Sequence, residues 1–237
     1  MEGFISAAQA AWDALPYILG GLWWTAGLIL GAMAVGLVFG VPLAVAHVYG
    51  GAFSRRFVAG YVWLFRGVPI LVQLYLFYFG IMAYLSEIPA LAFLPLSSGF
   101  FSAVVVLGLT SAAYQSQIFR GAIRSLPAGQ LRAARALGMS DATAIRAVIL
   151  PQALRLSIPA WSNEYSILLK DSALAFTIGV LEVMSRTRSV AATTHQPLPL
   201  SLLAGALFFF LTWAGIKVLK RLEAKVRIPG YAHQGTL

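Results

Sequence analysis

The charged residues Glu164, Lys170 and Asp171 lie within an otherwise mainly apolar stretch that runs from Ile158 to about Met184. Near the centre of a bilayer each charge costs roughly 2.5–3.5 kcal/mol on insertion scales, so these side chains should face a protein interior or a watery path. On a helix, Glu164 and Asp171 are seven residues apart and share a face, whereas Lys170 needs another partner. The chemistry is electrostatic. A carboxylate there can pair with an ammonium group, or the charges can form structural ion pairs within the bundle.

Other polar side chains are candidates for the same path. Asn163 precedes Glu164, and the preceding apolar segment becomes polar near its end, where Tyr114 and Gln117 occur. We expect Asn163 and Glu164 to contact a substrate during passage, with Tyr114 and Gln117 facing it. Pro159 is expected in the first turn of the helix, which places Glu164 roughly 8 Å along it. The candidate path residues are Tyr114, Gln117, Asn163, Glu164, Asp171 and Arg66, whose depth in the membrane the sequence leaves open.

Catalytic and metal chemistry have little support in the sequence. There is no cysteine, and His47, His195 and His233 are far apart, without the spacing of metal ligands. An intramembrane enzyme would need a nucleophile and a base, or metal ligands, converging at depth. The phosphate-loop pattern G-x-x-x-x-G-K-[ST] is absent, so we expect no ATP hydrolysis by this chain. We therefore predict no catalytic residue, no metal site and no cofactor here.

The composition indicates an integral membrane protein with a single domain. Of the 237 residues, 59% are hydrophobic and 11% are charged, against roughly 25% charged in soluble domains. The net charge of +9 could suggest nucleic acid. In a chain this apolar, we interpret it instead as a sign of membrane topology, with lipid and not nucleic acid around it.

Five segments are long enough to cross a bilayer, which needs about 20 apolar residues. The predicted spans are Leu22 to about Val48, Val68 to about Leu85, Ser97 to Phe119, Ile158 to about Met184, and Leu198 to Ile216. Residues 1–20 are expected to form an interfacial helix broken at Pro16, and residues 57–66 an elbow at the membrane surface.

Basic residues are distributed unevenly between the two sides that these spans define. With Arg66 and Lys170 left out, one side holds Arg55, Arg56, the arginines of the long loop and the five basic residues of the tail, whereas the other holds only Arg186 and Arg188. The positive-inside rule then places the N-terminus outside and the C-terminus in the cytoplasm. Within the single domain 1–237, residues 120–157 become a cytoplasmic loop and residues 217–237 a cytoplasmic tail.

The cytoplasmic loop contains a helix-prone segment over residues 130–137, with one small apolar face formed by Leu131, Ala133, Ala134 and Leu137. Gly138 is expected to end this helix or permit a sharp turn. Ser140 or Asp141 can cap a second helix that ends before Pro151. An alanine-faced helix can dock in a groove on a partner protein. The alternative is a solvated basic loop that touches anionic lipid.

The stretch AGQLRAARALGMSDATAIRAVILPQALRLSIPAWSNE resembles the cytoplasmic loop of ABC-importer permeases. That family pattern is E-A-A, three residues, Gly, about nine residues, then an apolar residue, Leu and Pro. Its places are held here by Ala133, Ala134, Gly138, Leu150 and Pro151.

The chain is most similar to the polar amino-acid importers of that family. RGVPILVQL (66–74), AAYQSQIFRGAIRSLPAGQ (112–130), SNE (162–164) and KDSAL (170–174) follow in the family's order. Residues 162–197 resemble the histidine and basic-amino-acid permeases in particular. Two positions depart from the pattern, because Arg132 stands where E-A-A has its glutamate and Gln117 replaces a glutamate usual in the third span.

This resemblance implies an all-α membrane protein with the type I ABC-importer permease fold, five transmembrane helices and a cytoplasmic coupling helix. It implies a multi-pass subunit in a bacterial or archaeal inner membrane, carrying polar and mainly basic amino acids (arginine, lysine or histidine) by alternating access. Two cytoplasmic ATPases would bind ATP and Mg, a second permease subunit, identical or paralogous, would complete the path, and an extracytoplasmic binding protein would deliver the substrate. The implied coupling residues are Gln130, Leu131, Arg132, Ala133, Ala134, Leu137, Gly138, Met139 and Asp141. An ion-coupled carrier or channel without an ATPase is the alternative.

Overall fold

A computed structural model describes residues 2–228, and over this range the chain is a bundle of helices, which confirms the predicted all-α class. In chain order the helices are α1 Glu2–Leu19, α2 Leu22–Tyr49, α3 Ala52–Gly67, α4 Ile70–Tyr75, α5 Ala83–Ser86, α6 Gly99–Ser125, α7 Gly129–Ala136, α8 Asp141–Ala144, α9 Leu150–Ser172, α10 Val183–Thr194 and α11 Pro197–Val226. Two π-helical segments, Leu76–Met82 and Ile145–Ile149, connect α4 to α5 and α8 to α9.

Three helices, α2, α6 and α11, are long and apolar enough to cross a bilayer. The α3 helix and the segment Ile70–Ser86 meet at 101° and together can supply a fourth crossing. The remaining predicted crossing, the fourth in chain order, corresponds to α9, which has sufficient length at 23 residues. Its composition is too polar for a lipid-facing helix, because it carries Arg155, Glu164, Lys170 and Asp171. Packing against α2, α6 and α11 buries Glu164 and partly buries Asp171, whereas Arg155 and Lys170 are exposed.

The predicted bounds of that fourth span are wrong at both ends. Pro151 does not stop a helix, because α9 begins at Leu150 directly after the π-helical residues and continues through the proline. Since π-helical residues 145–149 join α8 to α9, Pro159 lies inside the helix and not in its first turn. At the other end α9 stops at Ser172. A 3₁₀ segment follows and ends at Gly179, whose φ of +84° is left-handed.

The α2 and α6 helices form the longest interface of the bundle. Small residues let the two helices approach each other closely, since a methyl group at Gly36 would collide with the amide nitrogen of Gln115 on α6. One turn further on, a methyl group at Gly40 would lie 3.0 Å from the Gln115 Cβ. The Gly36 and Gly40 pair therefore acts as a small-xxx-small contact that lets two membrane helices pack closely.

We expect Gly36→Ala to destabilise the bundle by about 1–3 kcal/mol, because overpacking a filled interface forces neighbours to shift. The midpoint of thermal unfolding of the purified protein should fall measurably. Gly205→Ala on α11 is the matched control, since nothing lies within 4 Å of a methyl group there. Equal midpoints for both variants would contradict this account of the interface.

The first helix is continuous through Pro16, so the predicted break at that residue is wrong. Its Ala14 and Ile18 are buried with Val183 of α10 and Leu200 of α11. One face of α1 therefore packs on its own chain. Its placement at the membrane surface stays a prediction.

The buried acid Glu182 is a helix cap. Its carboxylate accepts hydrogen bonds from the backbone N–H groups of Met184 at 2.7 Å and Ser185 at 2.6 Å, which begins α10. At the C-terminal end, α11 continues to Val226, so the first part of the predicted tail extends this helix. Residues 229–237 of the predicted tail, like Met1, lie outside the described residues.

Candidate functional site

The carboxyl group of Glu164 lies inside the bundle, on α9 where this helix faces α6. The residue is only 4% exposed. Its Oε1 accepts a hydrogen bond from the Ser111 hydroxyl of α6 at 2.8 Å. This bond fixes the carboxylate against α6 and leaves the rest of its acceptor capacity open to another donor.

A second buried side chain, Gln115, continues this polar network toward α2. Its amide Nε2 donates to the Ser111 hydroxyl at 3.0 Å and to the Met33 carbonyl at 3.2 Å. Its Oε1 is buried without a hydrogen-bond partner among the described residues. The network crosses three helices, and it fits only because Gly36 leaves room for the amide.

Sequence reasoning missed both Ser111 and Gln115 as site residues. A signal was present, since the two are four residues apart and therefore share a face of α6. The Gly36 and Gly40 pair on α2 carries the same spacing. Neither pattern reveals that these faces meet each other and Glu164, because that depends on how three helices pack.

Ion pairing does not neutralise Glu164. Within residues 2–228, no arginine or lysine lies within 4.0 Å of its carboxylate. Arg66 and Asp171 are the charged residues whose electrostatic influence reaches it. Lys170 is exposed on another face of α9, and Asp171 is partly buried. Among residues 2–228, Glu164 therefore has no partner for the structural ion pair that the sequence left open as an alternative.

The guanidinium of Arg66 stacks over the Tyr114 ring, 4.6 Å from its centroid. Arg66 is exposed at the end of α3, one turn before the bend into α4. Tyr114 is partly buried on α6. The structure thus brings together two of the predicted path residues, in a cation–π contact.

A buried hydrogen-bond network fixes the bend that presents Arg66. Gln73 donates through Nε2 to the carbonyls of Phe65 at 3.0 Å and Val68 at 2.8 Å. Its Oε1 accepts from the Thr110 hydroxyl of α6 at 2.9 Å. These bonds satisfy carbonyls that the end of α3 leaves without helical partners, so Gln73 positions the α3–α4 corner against α6.

Two predicted path residues lie apart from this cluster. Gln117 accepts a hydrogen bond from Arg120 at 2.9 Å and donates to Ser116 at 3.2 Å, so its contacts stay on α6. Asn163 is exposed, on a different face of α9 from the buried Glu164. Ser111 and Gln115, not Gln117, are the α6 residues that form the network with Glu164.

The predicted helix in the loop is confirmed as α7, Gly129–Ala136. It ends in a Schellman motif, in which the Met139 N–H donates to the Ala134 carbonyl at 3.1 Å and the Gly138 N–H to the Arg135 carbonyl at 2.9 Å. Gly138 has a left-handed φ of +82°, which explains why glycine is needed there.

The four residues that were predicted to form one apolar face of the loop helix do not share one exposed face. Ala134 is buried at 4% exposure and Leu131 is partly buried, so this pair packs on its own chain. Ala133 and Leu137 point the other way, and Leu137 is 83% exposed. The physical reason is that Ala133 is the direct neighbour of Ala134 on the helix, whereas Leu137 is the C-cap residue after its last turn, so neither continues the buried face.

Two side-chain contacts fix α7 and the turn after it. Gln130 and Gln152 of α9 exchange amide hydrogen bonds of 2.9 Å in both directions. Arg135 donates two hydrogen bonds to Asp141, at 2.7 and 2.8 Å. The hydrogen bonds from Arg135 hold the pKa of the Asp141 carboxyl below its usual value, so this pair is ionised at neutral pH. The loop is therefore a defined structure, tied to α9.

Comparisons with known proteins agree with this architecture. Residues 36–228 match the family described as the binding-protein-dependent transport system inner membrane component. The nopaline transport system permease protein NocM of Agrobacterium fabrum is 33% identical, over 89% of this chain and 88% of that protein. The histidine/lysine/arginine/ornithine transport system permease protein HisM of Salmonella typhimurium is 35% identical, over 93% of this chain and 96% of that protein.

Solved structures show the same fold. A crystal structure of an amino acid ABC transporter with histidines superposes with a TM-score of 0.75 at 30% identity, covering 90% of this chain and 95% of that one. An inward-facing MetNI methionine ABC transporter also gives a TM-score of 0.75, at 21% identity and with 90% and 97% coverage. The second likeness concerns the fold alone. The predicted type I permease fold is confirmed.

Proposed function

Because the chain belongs to the family of inner-membrane components of binding-protein-dependent transport systems, we propose that it is a permease subunit of an ATP-driven importer of amino acids with cationic side chains. Relatives named for histidine, lysine, arginine and ornithine support the substrate class, as do relatives named for octopine and nopaline. The subunit is embedded in the membrane and contributes to the path that the substrate follows.

The main support for the proposed substrate class is the buried carboxyl group of Glu164. Burying a carboxylate without a paired cation is costly, and the described residues place none within ion-pair distance. A cationic substrate supplies the missing charge when it enters the path. Ser111 then holds the carboxylate in position while the substrate donates to its remaining acceptor sites.

The Arg66 guanidinium supplies a charge of the opposite sign on the facing side of the site. It is exposed, held over Tyr114, and its influence reaches Glu164. A guanidinium binds a carboxylate in a bidentate geometry. We therefore assign the substrate α-carboxylate to Arg66 and its cationic side chain to Glu164, with Asp171, seven residues along the same face of α9, as a further path residue.

We place the N-terminus outside and the C-terminus in the cytoplasm, which makes α7 and α8 cytoplasmic. The excess of basic residues on that side supports this orientation. It puts the exposed Leu137 and Ala133 of α7 where a soluble ATPase can bind them. ATP and Mg then belong to a pair of ATPase subunits, and an external protein delivers the substrate to a path shared with a second permease subunit.

Transport in this proposal is alternating access driven by ATP. The ATPase pair closes on ATP, the docked α7 helices move together, and the path reopens on the opposite side. Arg132, exposed beside Ala133, stands where relatives of this kind carry a glutamate. We propose that the local ATPase surface accommodates it.

The test is uptake of labelled arginine by proteoliposomes that contain the purified complex and its binding protein. Uptake should require ATP and the ATPase subunits, and it should persist when ionophores collapse the proton and sodium gradients. Uptake that follows an ion gradient without ATP would instead establish the ion-coupled carrier. Passive flux would indicate a channel.

A further inference from the structure

A cluster of basic side chains lies where α2, α3 and α6 end or begin on the same side of the bundle. His47 is in the last turn of α2, and Arg55 is in the first turn of α3. Arg120 and Arg124 are on the last turns of α6, four residues apart on one face. The charged groups that act on the His47 imidazole are these three arginines. The cluster therefore concentrates positive charge at this end of the bundle.

Two buried nitrogen atoms in this cluster have no hydrogen-bond partner among the described residues. They are the His47 Nδ1 and the Arg120 Nε. The Arg120 guanidinium donates a hydrogen bond from Nη1 to Gln117. Buried polar atoms are normally paired. A cluster of cationic donors with unpaired buried atoms indicates a binding site for an anionic oxygen ligand.

An apolar crevice begins beside the cluster. Its volume is about 270 Å³, and it separates α2 from α3. Ala46 and Ser54 line it, and each directly precedes a cluster residue in the sequence, His47 and Arg55 respectively. The remaining wall is apolar, formed by Phe39, Pro42, Leu43, Phe53, Phe57 and Val58. A ligand that fits both parts has an anionic head next to an apolar chain.

We propose that this cluster and crevice bind one anionic phospholipid, with its phosphate on Arg55, Arg120 and Arg124 and an acyl chain between α2 and α3. Basic pockets between membrane helices at the level of the headgroups recognise such lipids. A free phosphate would satisfy the charges but would leave the crevice unused. This proposal depends on the membrane embedding of the chain and not on the proposed substrate.

The test compares phosphatidylglycerol with phosphatidylcholine in native mass spectrometry of the whole purified complex. The complex should retain phosphatidylglycerol selectively, and the double variant R55Q/R124Q should weaken that binding by about fivefold for each arginine removed. R146Q/R155Q is the matched control, because it removes two exposed arginines of the same side from outside the cluster. Equal retention by both double variants would overturn the proposal.

A second variant tests the contribution of the crevice to lipid binding independently of the arginines. Leu43→Trp fills the crevice and leaves every arginine in place, so it should lower phosphatidylglycerol retention without changing the charge of the complex. Displacement of the lipid by inorganic phosphate, with no effect of Leu43→Trp, would identify a small-anion site and overturn the lipid assignment. Because lipid retention is measured without transport, its failure leaves the proposed function untouched, and the reverse also holds.

Discussion

Replacing Glu164 with glutamine should lower uptake of arginine, lysine and histidine by about 10- to 100-fold, since a hydrogen bond to a charged partner contributes about 1.5–3 kcal/mol. The amide keeps the size of the side chain and can still accept a hydrogen bond from Ser111, but it removes the charge. Glutamine carries no cationic side chain, so its uptake should fall by much less. The measurement is initial uptake of each labelled amino acid by proteoliposomes with the same binding protein.

Two controls make this result specific. Glu87→Gln is the same chemical change at an exposed turn between α5 and α6 and should leave uptake unchanged. Ser111→Ala keeps the carboxylate and removes its hydrogen-bond donor, so it should weaken uptake of the cationic substrates while preserving the preference for them. An equal loss for glutamine and arginine in Glu164→Gln would assign Glu164 a structural role and end the selectivity proposal.

Introducing a charge at Leu137 should abolish most of the ATP-driven uptake without changing membrane insertion. This side chain is 83% exposed, at the end of the basic helix α7. Burying a leucine in a partner's groove contributes roughly 1.5–3 kcal/mol. Leu137→Asp should therefore reduce ATPase activity that depends on the loaded binding protein by about 10- to 100-fold. Ala134 is unsuitable for the same test, because its burial within the chain would make a bulky change disturb this subunit itself.

Cross-linking gives a direct measure of the same contact. The natural sequence contains no cysteine, so one engineered thiol per chain is unambiguous. A thiol at Leu137 should cross-link to the ATPase subunit. A thiol at the equally exposed Phe93, in the loop between α5 and α6, should not. Cross-links from Phe93 but not from Leu137 would reverse the proposed orientation.

Local signals in the sequence predicted the elements that depend on few residues. The bounds of α2 follow from apolar length, and α7 follows from its helix-forming residues and from Gly138, whose left-handed backbone ends it. Rules for proline predicted less well. Proline disfavours a helix in the residues that precede it. Before Pro151, however, residues 145–149 adopt π-helical geometry, and the helix continues through the proline.

Tertiary packing determined what the sequence could not. Glu164 was identifiable because a charge in an apolar run is rare. Its partners were not, because Ser111 and Gln115 become site residues only when α6 turns that face toward α9 and α2. The same limit applies to α7. Spacing separates Ala133 from the face of Leu131 and Ala134, but only the packed chain shows which of these faces is buried.

The uninterrupted helical path from Asp141 through Ser172 makes α8, the π-helical residues and α9 a single lever. It starts beside the docking helix α7 and carries Glu164. The 23 residues between Asp141 and Glu164 correspond to about 35 Å at 1.5 Å per residue. A tilt of about 5° at the Asp141 end displaces the carboxylate by roughly 3 Å at that rise, which is about the length of its hydrogen bond to Ser111. If an ATPase binds α7 as proposed, a small movement of that subunit would be sufficient to break the bond between Glu164 and Ser111, without any chemical change in this chain.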